Sequence, residues 1–209
     1  MSMKLHCFGE SGNAYKAALT LTLAGEAWEP VFVDFFKGAT RSPEFKALTV
    51  MAEVPVLEDG DTVLTQSGVI QDYVSSKTGK LGGKSAAERR EVLRWMFFDN
   101  HKVSGVAGPL RFNMNFLPEE KRNADVNAFM AMRLASAVKV LEAQLAGRDW
   151  LASDEITIAD IACCGYLFYE EDFTLDRKQY PNMDAWLDRI AAQPSWKHPY
   201  DLMPRALPA

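Results

Sequence analysis

The pattern of apolar and polar positions changes period several times over the first 78 residues. "MKLHCF" reads as a short strand. From Tyr15 the apolar positions take helical spacing, through Tyr15, Ala18, Leu19 and Leu23, and Gly25 is a plausible stop. "EPVFVDF" alternates like a strand, and "SPEFKALT" enters a helix through Ser42-Pro43. In "VPVLEDGDTVLT" two strand-like runs flank Asp59-Gly60, a hairpin signal. "QSGVIQDYVSSKTG" is helical again. The order is β-α-β-α-β-β-α.

Glycines and lysines then break the pattern in "KTGKLGGKSAAERR", which places a linker at 79–85. Everything beyond it reads as helix. "EVLRWMFFDNHKVSGV" and "DVNAFMAMRLASAVKVLEAQLAG" are long amphipathic stretches. In the second, Val126, Phe129, Met130, Leu134, Val138, Leu141 and Leu145 form one stripe, expected to face a helical core. Two domains follow, residues 1–78 and 86–209. No internal repeat or low-complexity tract is visible.

Composition narrows the function. The formal net charge of -5, without basic blocks, excludes the clustered Lys and Arg that phosphate contacts need, so no nucleic-acid partner is expected. No apolar run is long enough to span a bilayer, so no membrane partner is expected either. "MSMKLHCFGESGN" lacks the apolar core of a signal peptide, which makes the cytoplasm the expected location. Cys7, Cys163 and Cys164 show no metal or redox spacing and read as buried reduced thiols. His6, His101 and His198 are scattered, and no metal site is expected.

Four local signals carry chemistry or folding information. Ser11 and Asn13 stand where a strand becomes a helix. Either can cap that helix, and such turns are also where α/β folds place reactive groups. Val54-Pro55-Val56 puts proline inside a strand-like run. That is an edge strand, or a cis bond that turns the Val54 backbone outward to meet a peptide-like ligand. Gln66-Ser67-Gly68 opens a helix. It is a plain cap, or a helix N-terminus that receives a carboxylate. Thr157 followed by Asp160 is a variant capping box, with Ile156 and Ile161 at staple spacing, and is read as a folding signal.

Taken in order, "SGNAYKAALTLTLAG", "SPEFKALTVMAEVPVLEDGD", "TQSGVIQDYV", "LEAQLAGRDWLASDEITIADIA" and "YPNMDAWLDRIAAQPSW" resemble the cytosolic glutathione S-transferases over nearly the whole chain. The resemblance implies an α/β thioredoxin-like N-terminal domain and an all-α C-terminal helical bundle domain, assembled as a homodimer. It implies glutathione as co-substrate, with no other cofactor, and a hydrophobic electrophile as second substrate. It makes the cis form of Val54-Pro55 the expected one, with Val54 as backbone ligand to the cysteinyl part. Gln66 and Ser67 become ligands of the γ-glutamyl part. Phe8 stands where the tyrosine-type classes place their hydroxyl, and Ser11 where the cysteine-type classes place their thiol. The pattern Ser11-Gly12-Asn13 looks like the bacterial serine classes (theta, zeta), and also like the nu-type arrangement, with Ser11 and Asn13 as catalytic residues.

One position departs from the family. Glu53 stands before "VPVL", where the family commonly has a basic or amide side chain for the glycyl carboxylate. A carboxylate there repels one. Either Glu53 points away and Lys37 or Arg41 takes the role, or glutathione binds weakly, or the ligand is not plain glutathione. Three functions compete: conjugation of the glutathione thiolate to an electrophile, glutathione-dependent reduction of disulfides or organic peroxides, and a non-catalytic binding or scaffold role. For the electrophile, "NHKVSGVAGPLRFNMNF" offers Arg111 and Phe112.

Overall fold

In the computed structural model, which describes residues 2–207, β1 (Met3–Cys7) runs through the middle of a four-stranded sheet. Met3, Leu5 and Cys7 are buried while Lys4 is exposed and His6 lies between, the period-two alternation of a strand with one dominant buried face. α1 (Gly12–Ala24) follows and ends at Gly25, whose φ of 79° is the left-handed conformation that favours glycine. β2 (Trp28–Phe32) returns parallel to β1 at the sheet's edge, where Pro30 is tolerated. The short α2 (Pro43–Leu48) is capped by Ser42, which accepts the Phe45 N–H at 3.1 Å.

β3 (Val56–Asp59) pairs antiparallel with β1, and β4 (Thr62–Thr65) with β3, giving the order β2-β1-β3-β4. The hairpin lies one residue later than the Asp59-Gly60 signal suggests. Asp59 still pairs with Thr62, so the two-residue loop is Gly60-Asp61, with Gly60 at φ 60°. Asp59 stays in the strand because its carboxylate is held from α3 (Ser67–Thr78), by the Tyr73 hydroxyl at 2.7 Å and by the Lys77 ammonium.

The chain divides into two units, one of residues 2–82 with 193–207 and one of Gly83–Ala192. The dividing point falls inside the expected linker of 79–85. The helical domain expected over 86–209 is corrected at its end, because residues 193–207 belong to the first unit. The reason is a set of bonds that no local pattern encodes. The Tyr15 hydroxyl donates to the Lys197 carbonyl at 2.9 Å, and the Gly9 N–H to the Pro204 carbonyl at 2.7 Å.

The second unit holds α4 (Ala86–Phe98), α5 (Ser104–Asn115), α6 (Ala124–Leu145), α7 (Ile158–Cys164) and α8 (Pro181–Ala191). Trp95, Leu110, Val138, Leu141, Ile161 and Trp186 are among its buried side chains. The stretch read as one helix, "EVLRWMFFDNHKVSGV", is interrupted by a π-helical turn at Asp99–Val103. There the buried Asp99 accepts the Ser104 hydroxyl at 2.7 Å. The α6 stripe is also only half right. Leu134, Val138, Leu141 and Leu145 are buried, but Val126 is 40% and Phe129 56% exposed. The two exposed positions both fall in the first two turns of this 22-residue helix, and the buried ones begin at Leu134. The last helix, α9 (Pro199–Leu202), lies in the first unit.

Candidate functional site

The sheet register brings the predicted residues of the first unit to one end. His6 of β1 pairs with Val56 of β3, and Val56 with Thr65 of β4. One step beyond that row, the chain passes into the turn to Ser11, into Pro55 and Val54, and into Gln66 and Ser67. β2 is parallel to β1 and ends beside it, Cys7 opposite Phe32, so the segment with Lys37 and Arg41 leaves the sheet at the same end.

Ser11 is the N-cap of α1. Its backbone is extended (φ -89°, ψ 105°), and its N–H closes a turn onto the Phe8 carbonyl at 3.1 Å. Its hydroxyl accepts the Ala14 N–H at 3.2 Å. A hydroxyl that accepts one bond still has a proton to give, so capping leaves Ser11 able to donate to a ligand. The first turn of α1 carries no acidic side chain, so no carboxylate of its own offsets the positive end of the dipole. Asn13, the second residue of the helix, is partly exposed.

The Val54-Pro55 bond is cis, as the family resemblance implies. Val54 is partly buried and Pro55 buried. Gln66 is the N-cap of α3 with a positive φ of 67°, and its side chain makes no cap hydrogen bond. Its amide instead donates to the Met51 sulfur at 3.0 Å. Ser67, the first helical residue, is partly exposed, and the first turn of α3 also lacks a carboxylate.

The two candidate cations stand further out. Lys37 is 84% exposed and its ammonium sits 2.9 Å from Asp34. Arg41 is exposed at the end of a short 3-10 turn, Ala39–Arg41. Glu53 is exposed as well. Sequence reasoning missed the ring cluster at this end of the sheet. Phe8 stacks on Phe35 with centroids 5.0 Å apart, and Phe36 meets Phe35 edge-on at 5.4 Å. Three Phe residues spread over 8 to 36 carry no periodic signal, so only the fold reveals them. Cys7 is not a competing nucleophile: burial pushes its thiol up to about 12.

In the second unit, Arg111 is not the open substrate contact that the sequence suggested. It is 2% exposed, and two of its nitrogens reach Glu171 Oε2 at 3.1 and 2.9 Å. Its guanidinium lies 3.8 Å from the Tyr169 ring centroid and 4.9 Å from that of Phe116. Both its edge and its face are engaged by the protein. Phe112 is partly exposed, with its ring 6.2 Å from Phe116. No group of His, Cys, Asp and Glu suited to a metal occurs among the described residues.

Comparison with known proteins agrees with this geometry. The family model for the glutathione S-transferase N-terminal domain matches residues 1–76, and that for the C-terminal domain matches residues 113–194. Glutathione S-transferase F10 of Arabidopsis thaliana is 31% identical over 88% of this chain and 90% of its own. A glutathione S-transferase structure from Xanthobacter autotrophicus Py2 superposes with a TM-score of 0.87, at 32% identity, over 96% of this chain and 98% of its own. A glutathione transferase structure from Burkholderia graminis, with two glutathione molecules bound per subunit, gives a TM-score of 0.84 at 27% identity, over 93% of this chain and 85% of its own. With both domain models matched, and a relative at this identity over most of both chains, the chain belongs to the glutathione S-transferase family.

Proposed function

We propose that this protein is a glutathione transferase that adds the glutathione thiolate to an apolar electrophile, with Ser11 as the hydrogen-bond donor to the sulfur. The observation that carries the reading is the Ser11 hydroxyl, which caps α1 and keeps a proton to donate, at the sheet end shared with Val54, Gln66 and Ser67. A free thiol with a pKa of about 8.5 is only a few per cent ionised at neutral pH. Lowering it by about 2 units needs roughly 2.7 kcal/mol. One or two hydrogen bonds to a charged sulfur supply that, at about 1.5–3 kcal/mol each. Nucleophilicity falls as the pKa falls, so placing the sulfur beside the electrophile carries much of the rate.

The rest of the tripeptide follows the same logic. The Val54 backbone pairs with the cysteinyl unit as an added strand does. Gln66, Ser67 and the N-terminus of α3 take the γ-glutamyl carboxylate, since unpaired N–H groups and helix dipole favour an anion there. Lys37 and Arg41 are the cations available for the glycyl carboxylate. Phe112 is the remaining candidate toward the electrophile. Asn13 assists Ser11, which fits both the serine-class and the nu-type pattern. No described helix is long and apolar enough to cross a membrane, and the proposed location is the cytoplasm.

The proposed assembly is a homodimer. Each unit leaves large apolar side chains exposed: Met51, Val63 and Val69 in the first, and Leu93, Phe97, Phe129 and Met132 in the second. Phe97 is 72% exposed, and Leu93 stands one turn before it on α4. Side chains of this kind grouped on one face are typical of a covered surface.

The test is thiolate absorbance against pH for glutathione bound to wild type, Ser11→Ala and Asn13→Ala. Ser11→Ala raises the bound-thiol pKa and leaves affinity nearly intact. If neither variant moves the titration, both residues are helix caps only. A second reading, reduction of disulfides or organic peroxides, draws on the Burkholderia graminis relative, which holds two glutathione molecules per subunit. Parallel assays with a chloronitrobenzene and a hydroperoxide separate the two.

A further inference from the structure

The residue before Ser11 is a carboxylate that the fold buries. The side chain of Glu10 is 1% exposed. Charge is buried at high cost unless its lone pairs are met. Here they are met by the far end of the chain. Glu10 Oε2 accepts the Ala206 N–H at 2.9 Å, and Oε1 accepts the Leu207 N–H at 3.1 Å. Arg205 Nε stands 3.5 Å from Oε1, an ion pair rather than a hydrogen bond. The Arg205 guanidinium in turn lies 4.0 Å from the Tyr200 ring centroid.

Neighbouring contacts surround the same turn. The Gly9 N–H donates to the Pro204 carbonyl at 2.7 Å. A Cβ at position 9 would come within 3.2 Å of both Arg205 Cγ and Tyr200 Cδ1, so glycine permits this close approach. One helical turn beyond Ser11, the Tyr15 hydroxyl holds the Lys197 carbonyl. The segment 197–207 therefore grips the chain on both sides of Ser11. A carboxylate next to a site that must hold a thiolate works against it electrostatically. The two N–H groups and Arg205 absorb that charge, which leaves geometry as what Glu10 contributes.

We propose that Glu10 is a positioning residue for Ser11: it fastens the Phe8–Ser11 turn to residues 204–207 and so fixes where the Ser11 hydroxyl and the first turn of α1 point. The proposal rests on the reading of Ser11 as the donor to the glutathione sulfur. The two alternatives predict a different titration. A purely electrostatic Glu10 would raise the thiol pKa, so its removal would lower it. A tail anchor with no effect on the site would leave the titration unmoved.

The experiment uses the full chain as wild type, Ser11→Ala, Glu10→Gln and the double variant. The readouts are the bound-thiol titration, and kcat and KM for glutathione with a chloronitrobenzene. Glu10→Gln keeps the shape but turns an amide NH2 toward one of the two N–H donors. It is expected to raise the thiol pKa in the same direction as Ser11→Ala and to lower kcat several-fold, with KM for glutathione unchanged. In the double variant it should add nothing to Ser11→Ala, because the two act through one hydroxyl. Arg205→Ala, at a partly exposed position, should shift the titration the same way by less, and carries the test if Glu10→Gln does not fold. If Ser11→Ala moves the titration while Glu10→Gln and Arg205→Ala leave it or lower it, the positioning role is overturned and the Ser11 reading stands. If Ser11→Ala itself leaves the titration in place, both fall together.

Discussion

Thr157 and Asp160 cap one helix reciprocally, and Asp160 does more than close the box. Its Oδ2 accepts the Thr157 N–H at 2.9 Å and the Thr157 hydroxyl at 3.0 Å, while that hydroxyl accepts the Ala159 N–H at 3.3 Å. Its Oδ1 accepts the Leu151 N–H at 2.9 Å and the Trp186 indole N–H at 3.0 Å. One buried carboxylate thus joins the start of α7 to α8 and to the loop after α6. Burial pushes its carboxyl above the usual range, and the N–H donors pull it back.

Asp160→Ala should therefore cost more than a lost cap. A cap alone is worth about 0.5–2 kcal/mol, and leaving the Leu151 and Trp186 donors buried without a partner adds about 1–3 kcal/mol each. Urea unfolding is expected to show a loss of at least about 2 kcal/mol. Turnover per folded molecule should change little, and a well-folded variant without turnover would give Asp160 a second role.

The three cysteines should be silent in the native protein. All are buried, and burial pushes the Cys7 thiol up to about 12. A disulfide reagent at neutral pH should release colour only on unfolding, because the thiolate is the reactive form. Fast native labelling of Cys7 would put a second thiol beside the proposed glutathione site.

Asp59 should give the fold an acid-sensitive contribution. Hydrogen bonds from Lys77 and then Tyr73 hold its carboxyl below the usual range. A depressed carboxyl stabilises the fold above its unfolded value, about 3.9, and loses that contribution as pH falls through the lower folded value. Wild type should exceed Asp59→Asn in urea midpoint at neutral pH, modestly because Lys77 is solvated. The two midpoints should converge in acid. A difference that persists there would place the effect in the hairpin itself, not in titration.

Glu53→Lys should tighten glutathione binding severalfold, the scale of one removed repulsion at an exposed position. Calorimetry at two salt concentrations checks it, since a screened interaction shrinks as salt rises. Unchanged affinity would mean that Glu53 faces solvent, and would leave the glycyl carboxylate to Lys37 and Arg41.

The local elements are legible from neighbouring residues alone, because their signals act over two to four residues. Period two marked β1, and helical spacing with Gly25 marked α1. The spacing of Thr157 and Asp160 marked the start of α7, where both halves of the capping box are present. Ser11 was visible as a cap for the same reason: the N–H it accepts is three residues away. The five ordered motifs then pointed to the family, and through it to the cis bond at Pro55. The remaining features depend on contacts between residues far apart in the chain. Register across β1, β3 and β4 is what brings Ser11, Val54 and Gln66 to one end of the sheet. The helical stripe of α6 reads as uniformly apolar, yet only neighbours decide which turns are covered, and Phe129 is left exposed. Arg111 is polar in any sequence reading, and only the fold brings Glu171 and Tyr169 against it. Glu10 is the extreme case. Its partners lie 196 and 197 residues away, and a carboxylate in a turn looks solvated until the chain's far end folds back and buries it.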